Sequence, residues 1–475
     1  MDANGDVTRR LAEYAASISY ESLPPEVGPA LKRLLLDTLG TTLAGNTLGA
    51  GCREAVAVTR TAAGSAESTL IGFGDKMPAA LAAFANGAMA HALNYDAIGP
   101  EGAHLGVILA APLAVAELVG RVSGKEFLAA LAAGAEVTSR LAVAVSQSSV
   151  NDAVPPKALD GQLLGYFGAA LSAGRVMRLS APEMHSVLGL ALMQAAGTMQ
   201  MVLDGDPPAK AIYAAFPNLA GVLSALLSRQ GLRAECAALE GEAGLFATYY
   251  GGRYSRQVLE SRLGEKFHML DVRFKPWPTS GVAHVFIEAA LQVMANHDVK
   301  STAIDRVEVR GGGWIRPWCE PAPERQKPAN AAAAANSVFF AVAKALANRD
   351  VALADFTPEG LLQPETLRLA ERMGYVIDEE LGSSGVVEIT TVTGQRHVGR
   401  VDTPLGHPAR PLTHAQMVAK FRDCARYAAC PVPAETLDEV TALVEQLEHV
   451  PDVSALPALV SPAPHATSAS RSRTP

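Results

Sequence analysis

The stretch PPEVGPALKRLLLDTLGTTLAGN, residues 24–46, sets the fold class. After Pro24-Pro25, Leu31, Leu34, Leu35, Leu39 and Leu43 return every three or four residues, and Gly45-Asn46 reads as a stop. That period gathers the leucines on one face of an α-helix, which a bundle must bury. Downstream, 79–93, 107–120, 124–146, 161–177 and 181–200 read as helices so rich in Ala and Gly that they can pack closely. They are apolar around much of their circumference, which predicts burial on more than one side, some of it against another subunit.

The pattern changes near residue 269. Val307 and Val309 alternate with Glu308 and Arg310, and 386–392 meets 395–401 across Thr393-Gly394 as a hairpin. Helix candidates lie at 282–295 and 331–348. Helices resume with the capping box Thr413-His414-Ala415-Gln416 and with Leu437, Val440, Val444 and Leu447 at helical spacing. The reading is a mainly α protein: helical over 1–268, a smaller α+β domain over 269–402, helical again over 403–455, and a Ser/Pro/Ala-rich disordered tail over 456–475.

The 475-residue chain carries a net charge of −8 with 19% charged and 49% hydrophobic residues, which suits a compact globular protein. An acidic balance without a basic cluster argues against nucleic acid or an anionic membrane as partner. Cys52, Cys236, Cys319, Cys424 and Cys430 form no C-x-x-C, so reduced thiols are expected and neither a disulfide framework nor a thiolate metal site. The charged N-terminus lacks a signal-peptide core, and 187–203 is interrupted by Gly, Thr and two Gln, so a cytoplasmic protein without a membrane span is expected.

Cofactor fingerprints are missing. Gly124-Lys125 is followed by Glu126 and lacks P-loop spacing, and neither G-x-S-x-G nor H-E-x-x-H occurs. No metal and no cofactor is therefore expected, and three local constellations remain. The first, 82–106, brings His91, Asn94, Tyr95, Asp96 and His104 within fourteen residues; its structural alternative is a core histidine and helix caps. The second, 206–231, places Lys210 and Tyr213 ahead of an apolar helix, where an ammonium opposes the dipole unless an anion is near; the alternative is a solvated lysine. In the third, 274–290, Lys275 precedes Ser280 and His284 at the expected domain seam, where clefts form. His268, His297, His397, His407 and His449 lack such company and read as surface or structural residues.

In several pieces the chain resembles the MmgE/PrpD family, which includes 2-methylcitrate dehydratases, cis-aconitate decarboxylases and iminodisuccinate epimerases. The pieces are LLLDTLGTTLAG at 34–45, ANGAMAHALNYD at 85–96 followed by His104, Lys210 ahead of LEGEAG, KPWPTSGVAH at 275–284, NSVFFAVAKALANRDV at 336–351 and PLGHPARPLTHAQMVAKF at 404–421. The resemblance implies one helical domain formed by both chain ends, an inserted α+β lid and a homodimer. It also implies a metal-free lyase or isomerase acting beside a carboxylate of a small organic acid, with His104 as acid/base and Lys210 and Lys275 as carboxylate clamps. His91, Asn94, Tyr95, Asp96, Tyr213, Ser280 and His284 would line the substrate. The chain departs from the family pattern D-F-D-D-T at Asn94, Ala97 and Ile98, from a family histidine near Leu159, from the usual M-H at Ile212-Tyr213, and at Ser280. These departures point to a less charged or larger substrate. The alternatives are an epimerase or cyclase of specialised metabolism, or a non-catalytic ligand-binding dimer.

Overall fold

A computed structural model describes residues 6–62, 64–149 and 157–461. Helices dominate it. The leucine-striped helix runs over Val27–Leu48, past the expected stop at Gly45-Asn46. Gly45 lies inside the helix and is glycine because a Cβ there would collide with the backbone of Met89 on the helix Ala79–His91. Asn46, a poor helix former, stays helical because its amide donates to Thr42 O and to Ile71 O, each at 3.1 Å. The pair is a packing contact between two helices.

One apolar core gathers Val7, Leu31, Leu35, Phe127, Leu131, Phe167, Val187, Phe246, Phe421, Val440 and Val460, so residues before 275 and after 411 share it. Gly124–Gln147 and Pro208–Arg229 are long and apolar enough to cross a membrane by length and composition, but the first is wholly and the second two-thirds buried inside the protein.

Three expected helices are shorter or broken. The helix from Ala181 ends at Leu192, because the chain then turns to pair with 157–159, with Met199 N donating to Lys157 O at 2.9 Å. The segment 161–177 divides into Asp160–Leu163 and Gly165–Val176. The segment 331–348 divides into Ala331–Ala335 and Val338–Asn348, where Ser337 Oγ caps Phe340 N at 3.0 Å. The expected tail also starts too early at 456: Leu456–Leu459 is helical, Leu456 and Val460 are fully buried, and Ser461 Oγ accepts from Gly72 N at 2.7 Å. The rest of that tail, 462–475, lies outside the described residues.

A second core spans Trp277 to Val401 and covers one sheet. Besides a two-residue ladder of β1 (Ser68–Thr69) and β2 (Lys76–Met77), the strands are β3 (Ile304–Gly311), β4 (Met373–Ile377), β5 (Gly385–Thr391) and β6 (Arg396–Val401), in the order β4-β3-β5-β6. β5 and β6 form the expected hairpin, with Gly394 at φ 82° in the turn. β4 was not expected from the sequence. It runs parallel to β3 at the sheet edge with Gly374 and Val376 exposed; Met-Gly-Tyr-Val-Ile has apolar types on both faces and a glycine, so it shows no period-two signal. His284–His297 lies on β5 and β6, and Val338–Asn348 packs against that helix, so Phe286, Ile287, Phe339 and Phe340 share one buried core.

Candidate active site

The helix Ala79–His91 ends one turn before a loop in which Asn94 adopts φ 50°, a left-handed conformation that Asn tolerates. The loop then turns Asp96 inward, where its carboxylate is fully buried. Asp96 Oδ1 lies 2.9 Å from His91 Nδ1 and Oδ2 lies 3.2 Å from His104 Nδ1. A carboxylate accepts only, so each ring presents Nδ1–H to it and keeps Nε2 as the bare nitrogen. Burial alone would raise the Asp96 carboxyl; His91 and His104 outweigh it and hold the group well below the usual carboxylate range. Burial pulls His91 down to about 4 against the opposing pull of Asp96. His104 is lowered for the same reasons, with Lys275 and Lys210 adding to the effect. Both rings are therefore neutral near pH 7 beside an anion.

His91, Asp96 and His104 offer three ligand atoms within 4.8 Å of one another. Each Asp96 oxygen accepts one imidazole N–H. Hydrogen bonding accounts for the trio.

Lys275 is 2% exposed, and its ammonium donates to Asn94 O at 2.6 Å and to Asn94 Oδ1 at 2.8 Å. Burial lowers it to about 7; Asp96 opposes the shift, and Lys420 and Lys210 reinforce it. Lys210 stands in the short helix Pro208–Ile212, with Asp206 Oδ1 3.7 Å from its Nζ. Burial lowers it too, against Asp206. A buried ammonium held this loosely is ready for an external anion.

Tyr213 lies tilted against His91, ring centres 4.2 Å apart, with its phenol pushed well above the ordinary range by burial and by Asp96. Gly161 closes this side: a Cβ there would sit 2.7 Å from Tyr213 Oη and 2.8 Å from His104 Cδ2. Leu159 packs against Val107, Tyr213 and Ala214, making an apolar wall where the family pattern has a histidine. His284 is buried edge-on to Trp277, and its Nε2 has no hydrogen-bond partner. Burial, then Lys275 and Lys420, lower His284 to about 3. Ser280 is buried and starts the turn before His284, with its N–H donated to Ala335 O at 2.7 Å.

Tyr95, expected to line the substrate, has the geometry of a core residue. Its hydroxyl donates to Pro276 O at 3.1 Å, and its ring packs with Ala44, Leu93, Leu353 and Cys424. Asn94 and Asp96 face the lysine and the histidines, whereas the Tyr95 ring lies on the Lys420 side of the loop.

Sequence reading missed several neighbours. Asn94 Nδ2 donates to Asn336 Oδ1 at 3.1 Å. Arg325 Nη1 donates to Asp206 Oδ2 at 3.1 Å and to Asn336 O at 3.2 Å, joining the second core to the surroundings of Lys210. Asp37 and Lys420, behind the site, are buried and paired on the apolar faces of their helices. The signal for these two was a charge on the apolar face of its own helix.

The MmgE/PrpD N-terminal domain matches residues 9–257 and the MmgE/PrpD C-terminal domain matches 277–446. A cis-aconitate decarboxylase of Aspergillus terreus is 24% identical, with 96% of both chains covered. The human cis-aconitate decarboxylase is 26% identical, covering 96% of this chain and 94% of its own. A cis-aconitate decarboxylase-like protein of Aspergillus oryzae is likewise 26% identical over 96% of this chain. With both domains matched in order across most of its length, the chain belongs to the MmgE/PrpD family.

Proposed function

We propose that the protein is a metal-independent lyase that moves a proton beside a carboxylate or carbonyl of a small organic acid, as a decarboxylase or dehydratase does. Its relatives support the lyase class. The single observation that carries the reading is the convergence of anionic Asp96, neutral His104 and the buried lysines Lys275 and Lys210.

Taking a proton, or CO₂, from a carbon next to a carboxylate leaves an electron pair that spreads onto oxygen. Ammonium groups already in place in a low-dielectric site stabilise that charge without reorganising. Lys210 and Lys275 supply them. Asp96 fixes the tautomer of His104, so in an elimination Nε2 accepts the proton from carbon and hands it to the leaving hydroxide; in a decarboxylation no proton is taken, and the carbanion left by CO₂ takes one from the Lys275 ammonium. Lys275, near 7, also exchanges protons at neutral pH.

The substrate carries less charge than a tricarboxylate. Asn94, Ala97, Ile98 and Leu159 put neutral or apolar groups at positions where the family pattern is polar, and each missing charge-assisted contact costs about 1.5–3 kcal/mol. The 269–402 segment acts as a lid, supported by Arg325 and Asn336 reaching across to Asp206 and Asn94. The active form is a homodimer in the cytoplasm. An apolar helix face on Ala215–Arg229 supports the dimer, and five free cysteines suit a reducing compartment.

The test is His104→Ala, assayed by proton NMR in deuterated buffer on mono- and dicarboxylic acids of graded length. A rate loss of about 10²–10⁴ is expected. An unchanged rate would remove His104 from the reaction, and no turnover of any acid by the wild type would favour a non-catalytic binding role. Turnover of cis-aconitate or 2-methylcitrate at the level of ordinary family members would sink the reduced-charge substrate. Deuterium incorporation without elimination would point to epimerisation.

A further inference from the structure

We propose that Lys420, paired with Asp37, is the positioning residue that fixes the 94–96 loop and Lys275 relative to each other and sets the charge balance around them. The inference rests on the reading of Asn94, Asp96 and Lys275 as site residues and deepens it. Lys420 stands on the helix His414–Ala425 and Asp37 in the middle of Val27–Leu48, and both are buried. The Lys420 ammonium lies 2.7 Å from Asp37 Oδ1. It donates to Tyr95 O at 2.8 Å and to Lys275 O at 3.0 Å, and sits 3.8 Å from the centre of the Tyr95 ring.

An ammonium has three N–H donors; Lys420 gives two to these carbonyls and its charge to Asp37, whose buried carboxylate has this ion pair and no hydrogen bond. Lys420 therefore acts through the residues it holds. The two carbonyls belong to the residue between Asn94 and Asp96 and to Lys275 itself. One buried group thus ties together two loops that are far apart in sequence and carry the acid/base and clamp side chains. Buried ion pairs are weak devices for stability, since apolar groups of the same size often serve as well. An apolar replacement, however, makes no bond to a carbonyl and leaves the loops free to shift by the ~0.5 Å that such sites tolerate poorly.

The electrostatics follow from the same geometry. The charged and titratable groups around the Lys275 ammonium are Asp96, Lys420, Lys210 and Asp37, together with the His104 and His284 imidazoles. Lys420 pushes the Lys275 ammonium toward its neutral form, and Asp37 pulls it back. Removing Lys420 should therefore raise the Lys275 midpoint and removing Asp37 should lower it.

The experiment uses full-length protein with lysine carbon-13 labelled at Cε; the chain has only 11 lysines, and Lys275→Met identifies the resonance. Lys420→Met should raise the Lys275 titration midpoint and Asp37→Asn should lower it, each by about one unit, with circular dichroism and melting reporting the fold. If Lys420→Met does not fold, Asp37→Asn decides alone, a lowered midpoint supporting the proposal. Midpoints that stay put in folded variants, or both move the same way, overturn it. No substrate enters the measurement, so it can fail while the proposed activity stands, and the reverse.

Discussion

Asn94 accepts the Lys275 ammonium on both its backbone carbonyl and its side-chain oxygen. A carboxylate at that point would favour the charged lysine, whereas the amide leaves it near 7. Asn94→Asp should raise the Lys275 midpoint by about 1–3 units. Where the ammonium is needed as a clamp, charge is lost as pH rises through its midpoint, so the wild-type rate should fall above about 7. Asn94→Asp should carry that fall to higher pH, which a pH–rate profile checks. At this scale the sequence was legible where unlike polar types crowd together, as from His91 to His104. Asp37 and Lys420 were hidden because a lone charge inside an apolar period looks like a solvated interruption. Asp206 and Arg325 find each other only through the fold.

Among elements, the helix Gly124–Ser149 shows how a buried ion organises a segment distant in sequence. Arg140 is fully buried, pairs with Glu136 at 2.6 Å, and donates to the carbonyls of Val258, Leu259, Ser261, Arg262 and Lys266. Glu136 accepts from Met269 N at 3.0 Å. Arg140→Met would strand Glu136 and all five carbonyls without their donor, and should cost about 3–5 kcal/mol, read as a lower midpoint in denaturant. Helices with one clear apolar stripe were readable from period alone. Breaks at Met193 and Ser337 were not, because Ala-rich sequence is permissive and the breaking force is a partner elsewhere: residues 157–159 in one case, a capping hydroxyl in the other. Gly45 misled in the opposite sense, since a glycine that admits a neighbouring backbone looks like one that ends a helix.

For the whole molecule, an exposed apolar face needs an explanation. Phe216, Leu223 and Leu227 lie seven and eleven residues apart along Ala215–Arg229, hence on one side, and are 43%, 37% and 42% exposed. Met193, Leu203 and Leu232 are also exposed. A contiguous face of this kind marks an interaction site, and a second copy is the occupant we propose. Leu223→Glu with Leu227→Glu should convert a dimer to a monomer by light scattering, with the helical circular dichroism retained. A wild type already monomeric at micromolar concentration would contradict the assignment. The two cores also differ in how they can be assembled during synthesis. The sheet-bearing core closes on residues 277 to 401 and is complete once that run has left the ribosome, while the larger one needs Phe421, Val440 and Val460 to meet Leu31 and Leu35. Throughout most of translation the early helices therefore expose a leucine surface whose cover has not yet been made. Premature termination near residue 410 should leave a folded sheet attached to a helical half that requires chaperone protection.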